Sequence, residues 1–500
     1  ICIYEKQSNT LLLTRDAIGK KPLYYYHLGQ NLIFCSELNP LVSTLDSTPE
    51  INIDGLSHYL WKGYFVDHHS AYCNIKQVLP GEFITFNLNS YDLKKYNSNA
   101  SFKISTNNSI STNALDLVEE NLNKSISYRF ISDVPVSMLL SGGVDSSLIT
   151  ILAKKKLNYD FKTYYLGYGQ GDDTFKNISE NIASTLSLNH TNIEMSQPLL
   201  KDSINEMVEI FGEPFADYSA LPSNQMYKEI SKYSKVVISG DGADEIFFGY
   251  EDAKKFLLFS NVRKLFNLNL SQNMDNIYKN FSGDTYQKIY AYMLTFLGLN
   301  EESFSTALYN GGWNNYYRKN YMTTKGYAST GKNSIEITEM ERFKNSGTNL
   351  MEKYLNYYLI RLTYDFMVKV DRTSMANSLE VRSPYLDRNM IKNIDGIGYK
   401  NNLDIFTSKK ILKKLLVKYG FNYVTKVKKK GFTPPLSNWM QSADGIQTIS
   451  SIISKKNNYL GEYFNMDGLK DLYSSKKAIK QNFFRLWNIM ILSQWMKSNY

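Results

Sequence analysis

The run Ser141-Gly142-Gly143-Val144-Asp145-Ser146-Ser147 carries the clearest chemistry in this sequence. Its two adjacent glycines let a backbone pass close to a polyphosphate. Successive amides and a helix N-terminus can then hold the negative charge, and serine hydroxyls add donors. Asp145 would repel a phosphate directly, so its place in such a loop makes sense as a magnesium ligand, since Mg²⁺ takes one or two carboxylates together with phosphate oxygens. A bare Ser-Gly-Gly reads as an ordinary turn capping a helix, whereas the full seven residues between a strand and a helix favour phosphate binding. A second acidic run, Ser239-Gly240-Asp241-Gly242-Ala243-Asp244-Glu245, offers Asp244 as another carboxylate for the same ion. The alternative is a solvated turn in which Asp244 and Glu245 favour the start of the next helix.

The two runs can cooperate only if the fold brings them together, and the hydrophobic pattern predicts that it does. Val134–Leu140 reads as a short buried strand entering Ser141, and Val144–Lys156 as a helix. Strands at Lys162–Leu166, Thr191–Met195 and Lys235–Ser239 alternate with helices near Asn177–Leu186 and within 198–232, after a helix spaced by Leu115, Val118, Leu122 and Ile126. Such alternation implies a parallel sheet covered on both faces, with its ligand site beyond the carboxyl ends of the strands. Residues 1–88 read instead as β-rich, with apolar runs Leu11–Thr14, Pro22–Tyr26, Leu32–Cys35 and Phe83–Leu88 between Gly, Pro and Asn turns. From Asn89 to Asn113 the composition is that of a surface linker, so the division falls as 1–95, a linker at 96–112, and 113–500. Residues 251–500 look mainly helical.

A chain of 500 residues with 43% hydrophobic and 21% charged residues can bury sizeable cores, which excludes a small stapled module and wholesale disorder. Its 57 Lys+Arg against 48 Asp+Glu leave +9, a diffuse excess that suits anionic ligands without the clustering of a dedicated nucleic-acid binder. Cys2, Cys35 and Cys73 form neither a disulfide framework nor a zinc site, so a reducing cytoplasm is expected. No signal segment and no membrane-spanning apolar run is legible.

The Ser141–Ser147 run resembles the PP-loop pyrophosphatases, which split ATP between the α and β phosphates, and it lacks the lysine of a kinase-type P-loop. Further stretches make the resemblance more specific. They are Glu213-Pro214-Phe215-Ala216-Asp217 with Ser219-Ala220-Leu221-Pro222, the long run Lys369 to Asp387 containing Val370-Asp371-Arg372 and Leu379-Glu380-Val381-Arg382, and Lys429-Lys430-Gly431-Phe432 with Pro435 and Trp439. Taken in order, they make the chain similar to the asparagine synthase family, the class II glutamine amidotransferases of the glutamine-hydrolysing asparagine synthetase type. The resemblance implies an α/β fold: a PP-loop parallel sheet of the adenine nucleotide alpha hydrolase kind with a helical C-terminal part. A partial β-rich class II glutaminase domain of the N-terminal nucleophile type precedes it.

The implied activity is that of a ligase: ATP and aspartate give a β-aspartyl-adenylate and pyrophosphate, and ammonia then displaces AMP. The resemblance places Ser141, Gly142, Gly143, Asp145 and Ser146 on pyrophosphate and magnesium, with Asp244 as the second metal ligand. Adenine and ribose contacts fall at Leu139, Leu166, Ser239 and Gly240. Asp241 matches a carboxylate position important for the intermediate, and a carboxylate there could steer or deprotonate ammonia. Lys429 matches a lysine that stabilises charge on the departing pyrophosphate, although the lysine run around it can equally be a solvated face. Asp371 and Glu380 are lesser catalytic candidates. With Arg372 and Arg382 they lie among Met367, Val370, Met375 and Leu379, a partly buried helical pattern in which a structural ion network competes with substrate contact.

Residues 1–88 resemble the second half of the family's glutaminase domain through Arg15-Asp16, Gly19 to Tyr25, Phe34 to Leu38 and Leu79-Pro80-Gly81-Glu82. The family's N-terminal cysteine nucleophile and its glutamine-binding segment have no counterpart here. Cys2 follows Ile1, and only 12 residues separate it from Arg15-Asp16, so it is expected to be a buried strand cysteine rather than a nucleophile. The absent Met and the incomplete β unit suggest a fragment that, as written, uses free ammonia. Another carboxylate, a sugar acid or a peptide, is the competing acceptor, and a PP-loop enzyme acting on tRNA is a third reading. Small-molecule substrates, ATP, Mg²⁺ and a homodimer fit these features; a nucleic-acid or membrane partner does not.

Overall fold

A computed structural model describes residues 1–97, 113–167, 173–195, 198–266, 312–313, 315–329, 338, 341–343, 345–394, 397–427, 434–453 and 458–500. The N-terminal part builds two antiparallel sheets. One runs β1 (Cys2–Glu5), β2 (Thr10–Thr14), β6 (Glu82–Asn87) and β7 (Leu93–Asn97) in that order, and the other places β3 (Tyr24–Leu28) between β4 (Asn31–Cys35) and β5 (Ile75–Gln77). Alternation across β3 decides how they pack, because successive side chains point to opposite faces. Tyr25 joins Leu13, Val78 and Ile84 in a small core between the sheets, whereas Tyr24 joins the larger core shared with the C-terminal helices. β7 lies inside the stretch whose composition suggests a linker, since pairing with β6 outweighs its polar sequence; 98–112 lies outside the described residues. Cys2 is on a strand as expected, but it is exposed rather than buried, because β1 is an edge strand.

The second unit is the predicted parallel sheet, in the order β10 (Asn189–Glu194), β9 (Lys162–Gly167), β8 (Val136–Leu139), β11 (Val236–Ile238) and β12 (Glu380–Arg382). Its central strands are buried on both faces, with Met138, Val237 and Ile238 at 0% exposure, which is why they read as continuous apolar runs. The helices Ala114–Phe130 and Val144–Lys155 supply Val118, Leu122, Leu148 and Ile149 to the same core.

β12 corrects the helical expectation for Glu380 and Arg382. The helix Met367–Met375 stops, Ser378 takes a left-handed φ of 53°, and Glu380 pairs with Val236. Met375 is 44% exposed, so the apolar stripe does not continue through it. The C-terminal helix Lys476–Asn499 packs Trp487, Met490 and Trp495 against the helix Leu200–Phe211 and the N-terminal unit. Among the described residues no helix is long and apolar enough to cross a membrane.

Candidate active site

Strand register places the two acidic loops side by side. Ile238 pairs with Met138, so β8 and β11 end together and release Ser141 and Ser239 on the same edge of the sheet. The fit is tight: a Cβ added to Gly240 would lie 3.0 Å from the Ser146 amide nitrogen and 3.1 Å from Asp145 Cβ.

The Ser141–Ser146 loop is held by its own hydrogen bonds. Gly143 is extended ahead of the helix Val144–Lys155, which turns that helix's first amides toward the loop. Ser141 Oγ and Ser146 Oγ lie 2.9 Å apart, the Ser141 amide donates to Ser146 Oγ at 3.1 Å, and the Gly143 amide donates to Ser141 Oγ at 3.4 Å. Gly142 has φ +74°, and a Cβ there would lie 2.3 Å from the Phe175 carbonyl oxygen, so only glycine suits both the turn and the space. Tyr385 fixes the loop from beneath, its hydroxyl donating to the Asp145 carbonyl at 3.0 Å.

Asp145 and Asp244 converge on a single point, and Lys409 occupies it. The Lys409 ammonium lies 2.5 Å from Asp145 Oδ2 and pairs with Asp244 Oδ1. Burial alone would lower its pKa, but the two carboxylates outweigh burial and raise it. Gly249 leaves room for the lysine stem, since a Cβ there would fall 2.1 Å from Lys409 Cε. Two carboxylate oxygens directed at one cation position beside a phosphate loop form a donor set that fits Mg²⁺ shared with a nucleotide. Among the described residues no group of three or more His, Cys, Asp or Glu side chains could hold a metal by itself.

A cavity of about 2300 Å³ opens in front of these loops, lined by Leu139, Ser141, Gly143, Asp145, Ser146, Leu166, Ser239, Gly240, Asp241 and Asp244. Small-molecule sites usually span roughly 300–1,000 Å³, so this one has space for a nucleotide and a second substrate. Asp241 accepts the Ser239 hydroxyl at 2.7 Å.

The same cavity continues to a charged cluster. Lys369 Nζ lies 3.0 Å from Asp217 Oδ2 and 2.8 Å from Ser219 Oγ. Burial pushes the Asp217 carboxyl up, but Lys369 and the Ser219 donors overcome it and hold the group at about 2. Asp365, 3% exposed, accepts Arg361 Nε at 3.1 Å. Burial first, and then the charge of Asp217, push its carboxyl up to about 7 against the opposing Arg361 and Lys369.

The remaining candidates sit elsewhere. Asp371 and Glu380 are not among the residues lining the cavity. Asp371 pairs with Lys21 at 2.5 Å, Arg372 donates to the Ser36 carbonyl at 2.8 Å, and Glu380 pairs with Arg382, whose guanidinium also donates to the Arg129 and Ile131 carbonyls. These are two separate sets of contacts, and the one through Asp371 and Arg372 joins the N-terminal unit to the parallel-sheet unit. Lys429 lies outside the described residues. Sequence reasoning missed Lys409, which carries no signal in a lysine-rich chain. It also assigned no role to Asp217, Ser219, Arg361, Asp365 or Lys369, although three of these lie in the quoted stretches.

Comparison with known proteins agrees with this geometry. The sequence pattern of the asparagine synthase family matches residues 117–497, and that of a glutamine amidotransferase domain matches residues 1–97. Asparagine synthetase [glutamine-hydrolyzing] 1 of Bacillus subtilis is 26% identical over 510 residues, covering 99% of this chain and 77% of the relative. Putative asparagine synthetase [glutamine-hydrolyzing] 2 of Methanocaldococcus jannaschii is 29% identical over 271 residues, 53% of this chain and 52% of the relative. A putative asparagine synthetase of Mycobacterium bovis is 23% identical across 99% of this chain and 75% of its own length. With a family match spanning most of its length, the chain belongs to the asparagine synthase family.

Proposed function

We propose that this chain is a ligase that joins ammonia to a carboxylate at the expense of ATP, with L-aspartate as acceptor and asparagine as product. The convergence of Asp145 and Asp244 on one cation position in front of the Ser141–Ser146 loop carries this reading. The loop amides, the two serine hydroxyls and the start of the Val144–Lys155 helix take the β and γ phosphates. Leu139, Leu166, Ser239 and Gly240 border the adenosine. Asp145 and Asp244 would hold Mg²⁺ once the Lys409 ammonium turns from that position toward the phosphates, and the ion's contribution is to neutralise phosphate charge.

An oxygen of the acceptor carboxylate attacks the α-phosphorus. The bond from the α-phosphorus to the bridging oxygen breaks, and pyrophosphate leaves. Ammonia then attacks the acyl carbon and AMP departs with the bonding electrons. Asp241, whose carboxylate is oriented by Ser239, takes the proton that ammonia loses. Lys409, together with Lys429 at the position the family resemblance assigns to this task, supplies positive charge for the departing pyrophosphate. The same reading divides the chain into a glutamine amidotransferase portion at 1–95, a connection at 96–112 and a synthetase portion at 113–500. The relatives' names make glutamine the ammonia source in those proteins, and the match at 1–97 supports the same source here.

The test is pyrophosphate release from ATP and Mg²⁺ with ammonium, with and without L-aspartate, beside Asp145→Ala. Aspartate-dependent release with asparagine as product, abolished in the variant, is expected. Release that ignores aspartate but responds to a sugar acid or a peptide would replace the acceptor, and release unaffected by Asp145→Ala would sink the site.

A further inference from the structure

We propose that Lys20, carried by the N-terminal unit, sets which form of the nitrogen donor the synthetase site accepts: its fixed positive charge behind Asp241 admits neutral ammonia and turns away the ammonium ion. The inference rests on the amide-forming reading above and extends it to the choice of nitrogen species. Only ammonia has the lone pair that attacks an acyl carbon. A carboxylate standing alone at the site would favour the ammonium ion, because a charge stabilises the oppositely charged form of its neighbour.

The loop that carries Lys20 is braced from both sides. Arg15, 4% exposed, donates from Nε to the Lys21 carbonyl at 3.0 Å and from Nη2 to the Gly19 carbonyl at 2.7 Å. The Asp16 carboxylate accepts the amides of Ile18, Lys20 and Lys21 at 3.1 Å, 2.9 Å and 3.0 Å. So held, the loop reaches into the parallel-sheet unit. Ile18 packs against that unit's core and its carbonyl accepts the Thr363 hydroxyl at 3.0 Å, Lys21 pairs with Asp371, and Lys20 Nζ donates to the Val381 carbonyl at 2.7 Å.

Strand geometry leaves that carbonyl to Lys20. β12 is the edge of the sheet, and its Glu380 amide and Arg382 carbonyl bond toward β11, so alternation turns the Val381 carbonyl to the open side. From β12 a chain of hydrogen bonds runs to the site: the Arg382 carbonyl accepts the Ser239 amide at 2.9 Å, and the Ser239 hydroxyl donates to Asp241 at 2.7 Å. Lys20 does not line the cavity. Its charge acts through a wall in which Val237 and Val381 are 0% and 2% exposed, a medium that screens far less than water does.

The charged groups around Lys20 are Lys21 and Arg129 on one side of the balance and Asp241, Asp371 and Glu380 on the other. Burial first, and then Lys21, lower its pKa from 10.5 to about 8 against Asp241 and Asp371. The cation is therefore present below about 8 and is lost as pH rises through it.

The experiment follows amide formation by the full chain with ATP, Mg²⁺, ammonium and the acceptor that supports turnover. It adds K⁺, which matches the ammonium ion in charge and size, with choline as the ionic-strength control. At neutral pH K⁺ should leave the wild-type protein unaffected. In Lys20→Met it should compete with ammonia and raise the ammonia KM about tenfold, the effect falling on KM rather than kcat and sparing the ATP KM. Lys20→Arg should restore indifference to K⁺, a rescue that a merely structural role would not produce. The wild-type protein should acquire the same sensitivity as pH rises through about 8, and Lys20→Arg should not. A folded Lys20→Met that ignores K⁺ overturns the assignment alone. So does a wild-type response to K⁺ that is flat across that pH range, the arm that decides if Lys20→Met does not fold. A wild-type chain that forms no amide with any acceptor overturns the amide-forming reading and this inference with it.

Discussion

Lys409 Nζ lies 2.5 Å from Asp145 Oδ2, tying a residue from the C-terminal helical part to the Ser141–Ser146 loop. The same ammonium pairs with Asp244, so one buried cation holds the Ser141–Ser146 loop and the Asp241–Glu245 loop together. Lys409 is 5% exposed, and removing one partner of a buried ion pair costs about 3–5 kcal/mol because the other charge is left uncompensated.

Lys409→Met should therefore melt several degrees below the wild-type protein. Magnesium alone should recover part of that loss, because a divalent ion can take the position the ammonium vacates. Thermal melts with and without millimolar Mg²⁺ check this; a variant that responds to magnesium no more than the wild-type protein refutes the shared cation position.

Gly142→Ala and Gly143→Ala should behave differently although they are neighbours. A Cβ at residue 142 meets the Phe175 carbonyl oxygen at 2.3 Å with φ at +74°, whereas the nearest atom to a Cβ at residue 143 is Ser141 Oγ at 3.4 Å. Strain of this kind costs about 1–3 kcal/mol, and relieving it distorts the loop. Titration with ATP should show Gly142→Ala weakened at least about tenfold and Gly143→Ala weakened much less; equal losses would contradict the loop geometry.

Asp241→Asn should separate chemistry from nucleotide binding. The side chain accepts Ser239 Oγ and lines the cavity, and loss of a proton-transfer group costs roughly 10²–10⁴-fold in rate. Steady-state kinetics should show kcat falling by such a factor with the ATP KM near its original value. A parallel collapse of ATP affinity would assign Asp241 to the nucleotide instead.

Glu213 should make stability depend on pH in a defined direction. Its carboxylate accepts the Tyr24 hydroxyl at 3.2 Å and the Ala71 amide at 3.0 Å, and burial raises its pKa from 4.5 to about 7 against those donors and Arg372. In the folded chain the group stays protonated up to about 7, while in the unfolded chain it ionises near 4.5. Its contribution is thus complete below 4.5 and is lost as pH rises to about 7. The stability of the wild-type protein relative to Glu213→Gln should fall by up to about 3 kcal/mol over that window. Denaturant titrations at pH 5 and pH 8 check it, and a pH-independent difference would place the proton elsewhere.

Much of this was legible in the sequence because it is local. Strand, glycine turn and helix follow one another within Val134–Lys156, so the strand-loop-helix arrangement around Ser141–Ser147 could be read from seven residues and their apolar flanks. The pairing of Asp145 with Asp244 was also reachable, since parallel strands that alternate with helices end on one edge.

What sequence could not decide is long-range. Lys409 is one of many lysines, and only the chain's return past Gly249 sets its ammonium between two carboxylates. Glu380–Arg382 reads as the end of a helix until pairing with Val236–Ile238 makes it a strand, and that placement leaves Asp371 to a salt bridge with Lys21 rather than to the cavity. Asp365 drew no reading from the sequence, and burial beside Asp217, outweighing Arg361 and Lys369, is what pushes its carboxyl up to about 7. Periodicity reports which face of an element is apolar. Which charge meets which is settled only when distant segments exclude water between them.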